Sequence, residues 1–246
     1  MAVIMRFILV IISLLFMSNT QAALNICAAS NFKVTLSEIV ARYSEVSSQK
    51  ILISSASTGT LYRQIMLGAP FDLFLSADSK RAKLIEQSKQ GVLGSRFTYA
   101  QGRLAFWAPK YQGIMDESTL KNTLLTTKGR IAIADPRLAP YGKAAKETLE
   151  SIMLWSKLSY VKGSNIAQTY QFIDSGNAQA GFVALSLLLQ NNKTHYYVLA
   201  PQSYAPILQQ GVLLTHAQSK QHEVQKFVAF LRSDAIQALI RAHGYL

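Results

Sequence analysis

The sequence has 246 residues, half of them hydrophobic and 15% charged. That balance excludes a disordered chain and gives material for one large domain or two modest lobes. The formal charge is +12, but the cations are scattered, with no run longer than Lys80-Arg81. Neither an RNP motif nor a paired Cys/His finger accompanies them, so no nucleic-acid partner is expected. Solvated helix faces account for most of the charge, and a basic surface also speeds the arrival of an anion.

The N-terminus has one cation, Arg6, then the apolar run Phe7–Met17, then small and polar residues to Ala23. This order is that of a secretory signal peptide over residues 1–22, with cleavage after Ala22 or Ala23. The run is too short to span a hydrocarbon core of roughly 30 Å. Cys27 is the only cysteine, so no intramolecular disulfide forms despite export. Asn25 and Ile26 precede it where a lipid anchor needs small residues, so Cys27 reads as a buried strand thiol.

Leu24, Ile26 and Ala28 alternate as a strand, and Phe32, Leu36, Ile39, Val40 and Tyr43 form the stripe of a buried helix face. Ser30 stands where the N-cap of that helix is expected. The pattern then repeats. Lys50–Ser55 is a strand, Ser57-Thr58-Gly59 a small polar turn, and Leu61–Leu67 a helix closed by Gly68-Ala69-Pro70. Phe71–Ala77 is a third strand, followed by a helix that Asp78 or Ser79 caps. Phe97–Pro109 is strand-like and reads as a crossover into a second lobe. There, Arg130–Ala134 leads through Asp135–Pro140 into a helix, and Lys162–Gly163 into another that Ser164 or Asn165 caps. Gly181–Leu185 is the next strand. His195–Leu199 and Tyr204–Thr215 follow, the latter passing back toward the first lobe. Two C-terminal helices close the chain. Strands alternate with helices throughout, which makes this an α/β fold, and in such sheets ligands bind beyond the carboxyl ends of strands.

Four strand-to-helix turns start with small or polar residues: Ser30-Asn31, Ser57-Thr58-Gly59, Tyr141-Gly142 and Ser164-Asn165-Ile166. Two precede the crossover strand and two follow it. Ordinary capping explains each one singly, because Ser, Thr and Asn begin most helices. If they converge, they supply hydroxyls and backbone N–H groups without formal charge. Such a set suits a fully deprotonated oxyanion and disfavours a protonated phosphate.

Ser30-Asn31-Phe32-Lys33 also fits S-x-x-K, which would make an exported serine hydrolase with Ser30 and Lys33. The same spacing recurs at Ser47/Lys50, Ser118/Lys121 and Ser159/Lys162, and the companion S-D-N and K-T-G motifs are absent. The four histidines show no metal-ligand spacing, and no P-loop, G-x-G-x-x-G or G-x-S-x-G is present. Metal and covalent catalysis thus have no positive support in these motifs, and the expectation is a protein that is not an enzyme, with no cofactor and with no metal held by side chains. Phe106 and Trp107 lie on a strand pattern and read as core.

Several blocks together resemble one family. They are Ala28-Ala29-Ser30-Asn31, Ser55–Ile65, Gly68–Asp78, Ala134-Asp135-Pro136, Pro140–Ala145, Gly181–Ser186 and the Arg241–Tyr245 tail. In this order they are similar to the periplasmic molybdate-binding proteins of molybdate ABC transporters, over essentially the whole mature chain. The resemblance implies a two-lobed type II periplasmic-binding-protein fold with the ligand in the cleft. Lobe I would comprise 23–103 and 213–246, and lobe II 104–212 including the crossover strands. It implies capture of molybdate or tungstate by neutral hydrogen bonds, with sulfate or another oxyanion as the alternative. Ser30 and Thr58 would donate hydroxyl and backbone N–H bonds, and Asn31, Tyr141 and Ile166 backbone N–H bonds. Molybdenum would enter only as the oxyanion. The implied partner is an ABC permease in the inner membrane, met in the periplasm by a monomer. Some members place a tyrosine donor where this sequence has Ala184, and Asn31 would compensate.

Overall fold

The structure, a computed structural model, describes residues 22–111, 113 and 116–246. The expected signal peptide lies outside the described residues except for Ala22. Among the described residues no helix is long and apolar enough to cross a membrane.

The chain forms two five-stranded sheets. The first contains β1 (Leu24–Ala29), β2 (Ile51–Ala56), β3 (Leu73–Ser76), β4 (Phe97–Gly102) and β10 (Ile207–Leu213), in the order β2-β1-β3-β10-β4. The second contains β5 (Leu104–Trp107), β6 (Ile131–Ala134), β7 (Tyr160–Gly163), β8 (Gly181–Ala184) and β9 (Tyr196–Val198), in the order β7-β6-β8-β5-β9. In each sheet three parallel strands are followed by an antiparallel strand delivered from the other half of the chain. This is the two-lobed α/β architecture expected from the alternation of strands and helices.

The central strands are buried on both faces, which is why they read as short apolar runs rather than alternating ones. Every residue of β3, β5, β6 and β8 is buried. Phe106 and Trp107 are core, as expected, and Trp107 stacks on Tyr170 with ring centroids 5.2 Å apart. The Cys27 thiol is buried, and desolvation pushes its pKa up.

The chain passes between lobes twice. The first crossing is abrupt, since only Arg103 separates β4 from β5. The second runs from β9 to β10 through residues 199–206. Because β10 pairs with β3 and β4, the change of lobe comes before Ile207 rather than at the expected boundary of 213. A strand's side-chain pattern does not say which sheet supplies its hydrogen-bond partners, so the sequence placed this boundary late. The C-terminus returns to the first crossing, where Leu246 and Gln101 exchange backbone hydrogen bonds of 2.8 and 2.9 Å.

Helices α1 (Lys33–Ser44), α2 (Thr58–Met66) and α3 (Ser79–Glu86) follow β1, β2 and β3. In the second lobe, α4 (Glu117–Thr126) precedes β6 and α5 (Pro140–Ser151) follows it. Helix α6 (Ile166–Asp174) follows β7, and α7 (Leu185–Gln190) follows β8. Helices α8 (Gln221–Leu231) and α9 (Asp234–Ala242) close the chain against the first lobe, where Phe227 packs edge-on to Tyr43. Thus β1, β2, β6 and β7 each end in a turn that opens a helix. These are the four turns that the sequence singles out.

Candidate functional site

The four turns meet. A small cavity between the lobes is lined by Ala29, Ser30, Asn31, Ser57, Thr58 and Ala77 from the first lobe. Ala139, Pro140, Tyr141 and Ile166 line it from the second. Ser30, Asn31, Thr58, Tyr141 and Ile166 thus share one cavity. They are only 7, 1, 0, 1 and 3% exposed, so the cleft is closed over them. None of the lining side chains carries a formal charge.

Each turn leaves donors unspent for a local reason. Helix α1 does not begin at Ser30: its N-cap is Phe32, with no side-chain cap bond. The expected capping role of Ser30 is therefore not filled, and its hydroxyl has no partner among the described residues. The backbone N–H of Ser30 donates to Ala56 O at 3.0 Å, extending the β1–β2 ladder. That corrects the expectation of a double donor: only its hydroxyl is open. Among the described residues Asn31 N–H has no acceptor, while Phe32 N–H turns back to Ala29 O.

In the second turn Ser57 is the N-cap of α2, accepting from Thr60 N at 3.3 Å. Thr58 Oγ1 accepts from Ala77 N at 3.0 Å, which leaves the hydroxyl proton to donate elsewhere. Thr58 N–H is one of the unpaired groups at the helix start. In the second lobe Pro140 occupies the first turn of α5, pre-setting the backbone at a position that needs no donor. Tyr141 N–H follows it without an acceptor. Asn165 caps α6 by accepting from Gln168 N at 3.0 Å, and Ile166 N–H remains open. Among the described residues, the cavity therefore gathers four uncommitted N–H groups, of Asn31, Thr58, Tyr141 and Ile166. The hydroxyls of Ser30 and Thr58 join them. The helix starts add partial positive charge, so the cavity is built for a small anion.

A buried polar network, without a signature in the sequence, holds the donors from behind. Gln209 on β10 is fully buried. Its Oε1 accepts from Asn31 Nδ2 at 3.0 Å and from the Tyr99 hydroxyl at 3.1 Å, while its Nε2 donates to the Tyr141 hydroxyl at 3.2 Å. The Tyr245 hydroxyl donates to Asn31 O at 2.8 Å. Burial pushes the phenols of Tyr99 and Tyr141 well up and that of Tyr245 to about 12, so all three are protonated and neutral. A glutamine inside a strand has no periodic signature, so only the tertiary contacts reveal it. Ser57 belongs to one of the four turns marked in sequence, and it joins the cavity wall although it is not among the expected donors.

Ala184 ends β8, fully buried, and does not line the cavity. Lys33 is exposed and makes no hydrogen bond to Ser30, so Ser30 has no base beside it. Among the described residues no group of three or more His, Cys, Asp or Glu side chains is placed to hold a metal.

The family model for bacterial extracellular solute-binding proteins matches residues 24–246. The chain belongs to that family. It is 34% identical over 230 residues to the molybdate-binding protein ModA of Azotobacter vinelandii, covering 91% of this chain and 90% of that protein. It is 34% identical over 220 residues to the molybdate-binding protein ModA of Rhodobacter capsulatus, covering 89% and 86%. Among solved structures, the periplasmic molybdate-binding protein of Azotobacter vinelandii superposes with a TM-score of 0.83 at 32% identity. That match covers 91% of this chain and 98% of the other.

Proposed function

We propose that this protein captures molybdate or tungstate outside the inner membrane and hands it to an ABC permease, with no bond made or broken. One observation carries the reading: a small cavity with buried walls, lined from both lobes, presents several neutral donors and no formal charge. Asn31, Thr58, Tyr141 and Ile166 give backbone N–H groups, and Ser30 and Thr58 give hydroxyls. A tetrahedral dianion without protons uses every one of them as a donor. A phosphate that retains a proton needs an acceptor, and neither a carboxylate nor a formal charge of any kind lines this wall. Similarity to the ModA proteins supports the choice of molybdate and tungstate among dianions. The small size of the cavity and the near-complete burial of its lining favour an inorganic ion over an organic phosphate. Selection against sulfate rests on cavity size, since sulfate has the same charge and shape. Because the donors come from both lobes, ligand binding stabilises the closed arrangement, and opening releases it.

Titration calorimetry with molybdate, tungstate, sulfate and phosphate tests the assignment. Tight binding of the first two and weak binding of the others is expected. Sulfate bound as tightly as molybdate would overturn the specificity, and binding of none would overturn the reading.

A further inference from the structure

The two lobes also touch directly at the lip of the cleft, beside the cavity wall. Gly59 N–H, one residue past Thr58, donates to Leu138 O at 2.8 Å. Arg81 Nη2 donates to Arg137 O at 2.7 Å. Both donors belong to the first lobe, and both acceptors are consecutive carbonyls of the β6–α5 loop in the second. Neither donor nor acceptor residue lines the cavity.

Each side of this contact is held rigid from within its own lobe. Asp78 takes the Arg81 backbone N–H on Oδ1 at 2.7 Å and Arg81 Nη1 on Oδ2 at 2.5 Å, so the guanidinium is fixed with its other nitrogen facing the cleft. Opposite it, Leu138 N and Ala139 N both donate to Asp135 O, at 3.0 and 2.9 Å, and Arg137 N donates to Asp135 Oδ1 at 3.0 Å. That tight turn presents the carbonyls of residues 137 and 138 to the other lobe. The approach at Gly59 leaves no room for a side chain. A Cβ there would lie 2.9 Å from Leu138 O, 3.0 Å from Leu138 Cα and 3.2 Å from Arg81 Nη2. The three nearest atoms all belong to the lip contact.

We propose that Arg81 and Gly59 form a clasp that sets the open–closed equilibrium of the lobes without touching the ligand. The inference rests on the oxyanion reading for its effect on affinity, but the clasp itself is a property of the lobes. Ligand leaves from the open form, so a clasp that favours the closed form slows dissociation. Because it makes no ligand contact, it changes affinity for molybdate and tungstate by the same factor. Arg81 and Gly59 are positioning residues, and the distinguishing readouts are a rate and a distance.

The test uses Arg81→Met, Arg81→Lys and Gly59→Ala. Stopped-flow rates are measured for molybdate and tungstate. The interlobe distance is measured by spin labels at Leu67→Cys and Met153→Cys, both exposed positions just past the C-terminal ends of α2 and α5; buried Cys27 does not compete for the label. Removing one charge-assisted bond or forcing the lip apart raises the dissociation rate about tenfold for both ions, with association changed less than about twofold. The ligand-free distance shifts to longer values. Lysine at 81 keeps the pair with Asp78 but not the fork, and recovers only part of the effect. Should Arg81→Met fail to fold, Gly59→Ala carries the test, since its added methyl meets nothing closer than the clasp. Unchanged dissociation and unchanged distance in folded Gly59→Ala would overturn the proposal and leave Arg81 as a brace for α3. If the parent protein binds neither ion, the oxyanion reading falls, and the distance measurement still decides the clasp.

Discussion

Ser30 and Thr58 reach the cavity by different routes. Ser30 Oγ has no partner among the described residues, whereas Thr58 Oγ1 also accepts the Ala77 N–H at 3.0 Å. The two therefore separate binding from stability. Ser30→Ala should lose a hydrogen bond to a charged ligand, about 1.5–3 kcal/mol or roughly ten- to a hundredfold in affinity, with little change in Tm. Thr58→Ala should lose a similar amount of affinity and also lower Tm, because it leaves a buried N–H unpaired. Thr58→Ser should keep both properties. Calorimetry for affinity and thermal melts for stability check all three. Equal Tm losses in Ser30→Ala and Thr58→Ala would contradict this assignment of partners. The same scale explains a misjudged residue. Ser30 looks like a cap in sequence because Ser is a common N-cap type, but the turn places Phe32 at the cap and sends the Ser30 N–H to Ala56.

At the level of elements, the β4–β5 crossing is the most constrained join in the molecule. Gly102 ends β4, and a Cβ there would lie 2.2 Å from the Tyr141 hydroxyl oxygen and 2.9 Å from Gln209 Nε2. The glycine lets α5 of one lobe dock against the strand leaving the other, and so places the Tyr141 N–H. Gly102→Ala should push Tyr141 away from Gln209, costing about 1–3 kcal/mol of stability by overpacking. Ligand affinity should fall with it. Adding Tyr141→Phe to Gly102→Ala should recover part of both, because it removes the oxygen that collides. A double-mutant cycle on Tm and affinity measures this coupling, and simple additivity would refute it. Sequence pattern had marked both halves of this crossing as strand. It did not mark Gly102 as a contact, because nothing local distinguishes that glycine from one in an ordinary strand end.

For the whole molecule, site and surface respond differently to pH. The only titratable side chain in the cavity wall is Tyr141, whose phenol burial holds far above the neutral range. Affinity should therefore stay flat from about pH 6 to about pH 9. Stability should not stay flat in acid. The Asp135 carboxyl is held below its ordinary 3.8 by hydrogen bonds from Arg137, and Glu86 below its ordinary 4.5 by Arg96. The folded state thus binds fewer protons than the unfolded chain at these sites. The stability they add is complete above those ordinary values and is lost as pH falls through the lowered ones. Melts at descending pH should show Tm dropping below about pH 4.5. Asp135→Asn should flatten part of that drop, and an identical profile in the variant would remove Asp135 from the account.

Sequence alone determined the alternation of strands and helices, the four turns that open helices and the residue types in them. These are local properties: apolar spacing selects strand or helix, and small or polar residues begin helices. It also marked Ser30, Asn31, Thr58, Tyr141 and Ile166 through the family resemblance, and the structure brings all five to one cavity. Tertiary structure decided everything that depends on a partner far along the chain. It put β10 in the first sheet, committed the Ser30 N–H to Ala56, placed Gln209 behind the donors and Arg81 across the cleft. Each of these is a contact between distant segments, and a hydrogen bond has no signature in sequence until the fold has set the distance between its donor and acceptor. The four turns that the sequence offered as ordinary caps become one cavity for that reason: only the closing of two lobes brings their unspent N–H groups together.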